Sequence, residues 1–446
     1  MLSKTKIIFF DSLCSTNEEF LDQYTNDILD FFPYKKKPYK LLYTIYQVDQ
    51  ILYMFKRRYL FDKQCIDIIF NNCQSLTLNF KSIEDFIKVC KQLAELNSKA
   101  KAFLSPIKKT KLVEKWKEGK ISNSFYIMLL NYYGSRSYND LSQYPVIPWF
   151  INSETFDIPE YEEQKLNIRD FKLNLNKLGG GKRLEQSIQR YHEGDAMTEE
   201  KYFSGSHFSN PGIIIQYLVR IPPFLDGLIK FQSGKLDCAD RMFSSLISSY
   251  NLALTEVGDM RELIPESIIL PEMYKNNLKV NFGETQDHTL VDHVILPEWA
   301  KGDPYFFTWK FKEYFESRQV GDNIHQWFDL IFGCKQKGEE AIKACNLYPP
   351  ISYEDGIDLT NPNNIIHKNA LIVQAYNYGQ WPTQLFHESH ISRKIVEDPL
   401  IFISQRADLE ARPIDLNKQK YGEIKEIKFV NENLFYMLNK KNKIIR

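Results

Sequence analysis

The residues whose types could do chemistry fall into a few clusters. Leu178-Gly179-Gly180-Gly181-Lys182-Arg183 puts glycines beside a lysine, as a phosphate-cradling loop does. A loop of the GxxxxGK[ST] kind also needs an upstream glycine and a hydroxyl for magnesium. Asn176 and Arg183 stand in those places, so a glycine turn is the expected structure. Ser204-Gly205-Ser206-His207-Phe208-Ser209-Asn210 sets serines beside a histidine, but adjacency does not supply nucleophile–base geometry and GxSxG is missing. These side chains are expected to satisfy buried backbone instead. Asp287, His288, Asp292 and His293 match neither HExxH nor a zinc-finger spacing, so solvated loop residues are expected and no metal. Arg136 and Asp140 stand four apart, as do Asp237 and Arg241; each pair is expected to be partly buried and to fix irregular backbone. Lys35-Lys36-Lys37 and Lys56-Arg57-Arg58 are dense basic runs, either solvated faces or a weak anchor for anionic lipid.

Bulk properties narrow the function classes. Lys+Arg and Asp+Glu number 57 each, so no global field favours nucleic acid. The cysteines at 14, 65, 73, 90, 238, 334 and 345 are odd in number and form no CxxC, which argues against a disulfide framework and for a reducing, cytoplasmic setting. The apolar run Ile7–Phe10 is too short for a signal peptide. Gln216, Arg220 and Asp226 interrupt the longest apolar stretch, so any membrane role is peripheral. At 446 residues the chain is expected to hold two or three domains.

The elements that must position these residues change along the chain. Leu41–Tyr46, Ile51–Tyr59, Cys65–Phe70 and Ser75–Phe80 have strand character, with turn residues Asn71-Asn72-Cys73-Gln74 before the last. Ser82-Ile83-Glu84-Asp85 has capping-box spacing, and Ile83, Phe86, Ile87, Cys90 and Leu93 follow at helical intervals. From about 105 the chain turns helical with long irregular connections. Phe125–Tyr133 is expected to end at Gly134, and a helix is expected from near Asp240 through Tyr250. Asp303-Pro304 should open a helix to about Val320, and Ile324–Phe332 should form another ending at Gly333. Glu423–Val430 and Leu434–Leu438 suggest a hairpin.

Arg136-Ser137-Tyr138-Asn139-Asp140-Leu141-Ser142-Gln143-Tyr144-Pro145-Val146-Ile147-Pro148-Trp149 fits neither the helical nor the strand period, yet it is too aromatic for an ordinary loop. An ordered, irregular strip is expected there. The strip resembles the signature of the BEACH domain family. Further segments resemble the family in order: "YFSGSHFSNPG" (202–212), "QSGKLDCADRMF" (232–243), "RELIPESIILPEM" (261–273), "VILPEWAKGDP" (294–304), "HQWFDLIFGCKQKG" (325–338) and "YGQWPTQLF" (378–386). The chain departs from the family habit at Leu178, Phe328 and Trp381.

The resemblance implies an α+β protein: a partial PH-like β-barrel module over 1–100, a mainly helical BEACH domain over 105–392, and over 393–446 a linker with a short β stub that starts a truncated WD-type propeller. It implies a scaffold in vesicle and membrane traffic, with roles in lysosomal traffic, autophagy or receptor signalling, and not an enzyme. No cofactor, catalytic residue, nucleic acid or small-molecule substrate is implied. A protein partner would sit in a groove between the PH-like module and the BEACH domain, with Arg136, Asp140, Tyr144, Trp149, Trp327 and Asp329 as its floor and support. Cytoplasmic placement with peripheral attachment to endomembranes goes with this. Two alternatives stand beside it. One is a phosphoinositide-binding module using Lys56, Arg57 and Arg58; the other is a hydrolase built on the Ser204–Asn210 segment.

Overall fold

A computed structural model of the chain describes residues 6–11, 42–72, 74–97, 104–107, 110–152, 167–195, 199–357, 367–393, 424–431, 434–439 and 444–445. Lys35–Lys37 lie outside them. The chain forms two compact units, Met1–Val396 and Glu397–Arg446.

The first unit begins with strands. β1 (Lys6–Asp11), which contains the short apolar run, pairs antiparallel with β2 (Leu42–Gln47). β3 (Ile51–Tyr59), β4 (Asp62–Phe70) and β5 (Ser75–Asn79) form an antiparallel sheet in that order. Strand alternation gives this sheet two different faces. Met54, Ile66, Ile68 and Leu76 lie on one face and pack on helix α1 (Ile83–Leu96) through Phe86, Cys90 and Leu93. Ser82 caps α1 by accepting the Asp85 N–H at 3.3 Å, as its spacing predicts. Ile83 and Ile87, expected on the buried stripe, stay 44% and 58% exposed.

The helical body follows: α2 (Leu112–Lys117), α3 (Asn123–Tyr133), α4 (Leu175–Gly179), α5 (Gly181–Glu193), α6 (Pro211–Leu218), α7 (Phe224–Phe231), α8 (Leu246–Thr255), α9 (Pro304–Phe315), α10 (Arg318–Asn323), α11 (His325–Ile331), α12 (Gly338–Lys343) and α13 (Lys368–Tyr378). α3 ends at Gly134 and α11 stops before Gly333, as expected. α9 opens on Asp303, whose carboxylate accepts the Tyr305 and Phe306 N–H groups. It ends at Phe315, five residues earlier than the pattern predicts. The backbone leaves the helical region at Ser317, whose hydroxyl caps the next helix by accepting the Val320 N–H at 3.4 Å, while the Glu316 carboxylate caps α3, accepting the Asn123 and Ser124 N–H groups at 2.7 and 2.8 Å. α8 also starts later than expected, because Ser245 is its cap and Ala239–Arg241 form a separate 3-10 turn.

The glycine run is a turn between two helices. Gly179 ends α4 so close to α8 that a Cβ there would collide with the Leu254 carbonyl, and Gly180 takes φ +56°. Arg183 is buried and donates to the Glu256 and Asp259 carbonyls, so this segment carries interior packing.

The second unit contains β6 (Ile424–Asn431), β7 (Leu434–Asn439) and β8 (Ile444–Ile445), joined antiparallel in sequence order.

Candidate functional site: the seam between sheet and helical body

The second face of the β3–β5 sheet meets the helical body. Phe55 on β3 stacks on Tyr132 of α3 at 4.9 Å and meets Tyr133 edge-on. One pairing step away, Arg57 donates to Asp140 at 2.6 Å and reaches Asp67 on β4 at 3.5 Å. Asn139 donates to the Ser75 and Thr77 hydroxyls of β5, 3.0 Å each. Arg58 is buried as well, although strict alternation would turn it to the opposite face. A register shift between Arg57 and Tyr59 breaks the alternation there. Its N–H donates to the Ser135 hydroxyl and its carbonyl accepts from Gln143. The Arg58 guanidinium donates to the Gln380 side chain at 3.1 Å and the Trp381 carbonyl at 2.7 Å. Leu60, Ile351 and Ala375 form a small apolar cluster alongside.

The electrostatics follow from burial with pairing. Burial alone would lower the Arg57 pKa, but Asp140 and Asp67 hold it above the ordinary value. Burial alone would raise the Asp140 pKa, but Arg57, Gln143 and Ser142 hold it below the carboxylate range. Both members are therefore charged and paired. Arg57 and Arg58 are only 3% and 2% exposed, so two of the three residues offered as a lipid-binding patch are spent inside the protein. Lys56 alone of that run faces solvent.

The 136–149 strip is ordered, and its side chains explain how. Arg136 is fully buried and donates to the Tyr144 carbonyl at 2.5 Å, the Gln380 carbonyl at 2.8 Å and the Ser209 hydroxyl. It does not pair with Asp140, contrary to the i,i+4 expectation; burial lowers its pKa to about 9. Asp237 and Arg241 do pair, at 2.5 Å. Tyr144 donates to Glu266 at 2.5 Å. Glu262 accepts four hydrogen bonds from three donor groups: both its oxygens accept from Arg169 at 2.8 Å, one accepts the Trp149 N–H at 3.0 Å and the other the Trp327 indole at 3.1 Å. Asp329 accepts the His390 N–H at 2.7 Å.

All six residues expected at the groove are therefore interior: Arg136, Asp140, Tyr144, Trp149, Trp327 and Asp329 are at most 4% exposed. They cannot line a floor that a partner touches. Asp140 holds the seam, Arg136 and Tyr144 hold the strip, Trp149 and Trp327 meet at Glu262, and Asp329 stands apart on His390. Spacing missed Arg169, Glu262, Gln143 and Gln380. For Glu262, Gln143 and Gln380 the available signal was a charged or amide group close to a proline, as in "RELIPES", "SQYP" and "YGQWP"; Arg169, in "NIRDFKLN", carried none.

The other chemical clusters resolve simply. His207 is fully buried, and its Nδ1 accepts the Ser209 N–H at 3.2 Å. Asn176 donates to Ser204 and Arg136 to Ser209, so the segment satisfies interior groups. Among the described residues no serine hydroxyl is bonded to His207, and the pair a hydrolase needs is not formed. His288 is 90% exposed at its side chain, and no cluster of metal-ligating residues occurs among the described residues. No described helix is long and apolar enough to cross a membrane.

His390 gives a pH prediction. Its ring lies among Trp116, Tyr126, Phe328 and Phe386; Nε2 is 2.7 Å from the Tyr126 hydroxyl and Nδ1 is 2.9 Å from the Ile391 carbonyl. A neutral ring satisfies both contacts, and burial lowers the pKa to about 4. The unfolded chain takes up this proton near pH 6.5, so the stabilisation is complete above that pH and is lost as the pH falls towards 4, at about 1.4 kcal/mol per unit. Buried His207 adds in the same sense, while Glu266 and Asp329, raised by burial, act oppositely. The measurement is the slope of unfolding free energy between pH 6.5 and 4.5. His390→Gln should flatten that slope by up to one proton; an unchanged slope refutes the assignment.

The Beige/BEACH domain family model matches residues 114–393. Beige protein homolog 1 of Saccharomyces cerevisiae is 39% identical over 287 residues, 62% of this chain and 13% of the relative. Beige protein homolog 1 of Schizosaccharomyces pombe is 37% identical over 290 residues, 63% of this chain and 11% of its own length. BEACH domain-containing protein lvsD of Dictyostelium discoideum is 33% identical over 389 residues, 80% of this chain and 13% of that protein. The chain thus spans only a small part of the relatives it matches. With the matched segment covering the strip, the Glu262 hub and the Gln380 side of the seam, the chain belongs to the Beige/BEACH domain family.

Proposed function

We propose that this chain is a non-enzymatic scaffold of vesicle and membrane traffic that holds a protein partner in a groove where the sheet meets the helical body. Residues 1–100 serve as the PH-like module, 105–392 as the BEACH domain and 393–446 as the start of a propeller. The protein works in the cytoplasm, attached peripherally to endomembranes. The observation that carries this reading is the seam. Arg57 and Arg58 lock the sheet to the helical body, so β5 and Asn139, with Tyr138 next to it in the chain, are held at the solvent edge of the joint. Tyr138, 36% exposed, is the aromatic anchor, and the six buried residues named above are support.

A photo-crosslinking amino acid placed at Tyr138 in the full chain, expressed in its native cells, tests this. Crosslinks to one protein from position 138, and none from Trp309 on the outer face of α9, are expected. Equal labelling at the two positions rejects the groove.

A further inference from the structure

The edge of β5 shows how a partner would be gripped, an inference that rests on the groove reading above. The Phe80 N–H donates to the Gln64 carbonyl and the Phe70 N–H to the Gln74 carbonyl, fixing the parity of the β4–β5 ladder at both ends. Register pairs Ile66 with Leu78 and Ile68 with Leu76, so these even-numbered residues exchange hydrogen bonds with β4. The N–H and C=O groups of Ser75, Thr77 and Asn79 therefore point the other way, to the outer edge of the sheet. No backbone partner for them occurs among the described residues.

The opposite edge of the sheet is closed by the helical body at one residue. On β3, the Arg58 N–H and C=O are closed by Ser135 and Gln143 of the helical body. On β5 the body contributes only Asn139, which bonds the Ser75 and Thr77 hydroxyls and leaves their backbone untouched. Sheet edges are normally guarded by lysine, proline or a bulge. Ser75-Leu76-Thr77-Leu78-Asn79 has none of these: it is uncharged, regular in register and bonded to Asn139, whose chain neighbour Tyr138 is 36% exposed.

We propose that the partner enters as an extended polypeptide segment that adds to the sheet along β5. Its backbone would bond Ser75, Thr77 and Asn79, and alternate side chains would lie towards Tyr138 and Asn139. Backbone complementarity supplies the grip in such strand addition, and the flanking side chains select sequence.

The probe is a phage-displayed library of linear dodecapeptides selected on the full chain. N-methylation of an enriched peptide at every second residue should weaken binding at least tenfold, whereas methylation of the intervening residues should leave it unchanged. Ser75→Pro or Asn79→Pro should have the same tenfold effect, because each removes an outward N–H at an edge position that tolerates proline. The methylation scan uses the unaltered protein, so it decides the matter even if either variant fails to fold. No enrichment, or binding indifferent to methylation, overturns strand addition. Self-association of the chain that Asn79→Pro abolishes also overturns it, assigning the edge to a second copy. Peptides that crosslink to Tyr138 yet ignore methylation overturn strand addition alone; peptides that crosslink away from Tyr138 count against the groove itself.

Discussion

Glu262→Ala is expected to destabilise the chain by about 3–5 kcal/mol, the usual cost of removing one partner of a buried ion pair. Glu262 is 4% exposed and Arg169 is 1% exposed, so water cannot replace the lost carboxylate. Three kinds of donor lose their acceptor together: the Arg169 guanidinium, the Trp149 backbone N–H and the Trp327 indole. Each unmet buried donor carries its own desolvation penalty. Glu262→Gln keeps an acceptor for one tryptophan donor but removes the charge facing Arg169, so an intermediate loss is expected. Urea unfolding followed by tryptophan fluorescence measures both variants, with two reporter indoles beside the substitution. A loss below about 1 kcal/mol for Glu262→Ala would remove the hub from this account.

Local signals in the sequence were legible where the cause is itself local. Asp303-Pro304 caps α9 and Gly134 ends α3, because capping depends on residues within one turn. The strip was legible as ordered, since two prolines and several rings without periodicity fit no solvated loop. What the sequence hides is the partner of each polar side chain. Spacing suggested Arg136 for Asp140, but four residues define a neighbour only in a helix, and this backbone is irregular. The true partner, Arg57, stands 83 residues earlier. Lys56-Arg57-Arg58 looked like a basic patch because a sequence records charge but not exposure: strand alternation points Arg57 inward and a register shift turns Arg58 inward after it. The end of α9 was missed at Ser317, a hydroxyl residue that caps the next helix.

Asp140→Ala is expected to cost a similar amount, about 3–5 kcal/mol, but to loosen a different part of the molecule. Asp140 accepts from Arg57, Ser142 and Gln143, and Gln143 in turn holds the Arg58 carbonyl. Removing the carboxylate leaves Arg57 with a 3.5 Å contact to Asp67 as its one ion pair, beside a 3.2 Å hydrogen bond to the Arg58 carbonyl, and frees the Gln143 amide from one of its two anchors. The core around Glu262 is untouched. Amide hydrogen exchange should therefore quicken in 55–60, 135–143 and 379–383 while 262–268 and 325–331 keep their protection. Arg57→Ala should show the same regional pattern, since it strands Asp140 and Asp67 together. Combining it with Asp140→Ala should cost less than the two losses added, because the second substitution removes a charge that the first left unpaired. Uniform loss of protection across the helical body would mean that the seam is not a separable joint. A groove at its edge would then have no rigid wall on the sheet side, and the binding mode assigned to β5 would lose its footing.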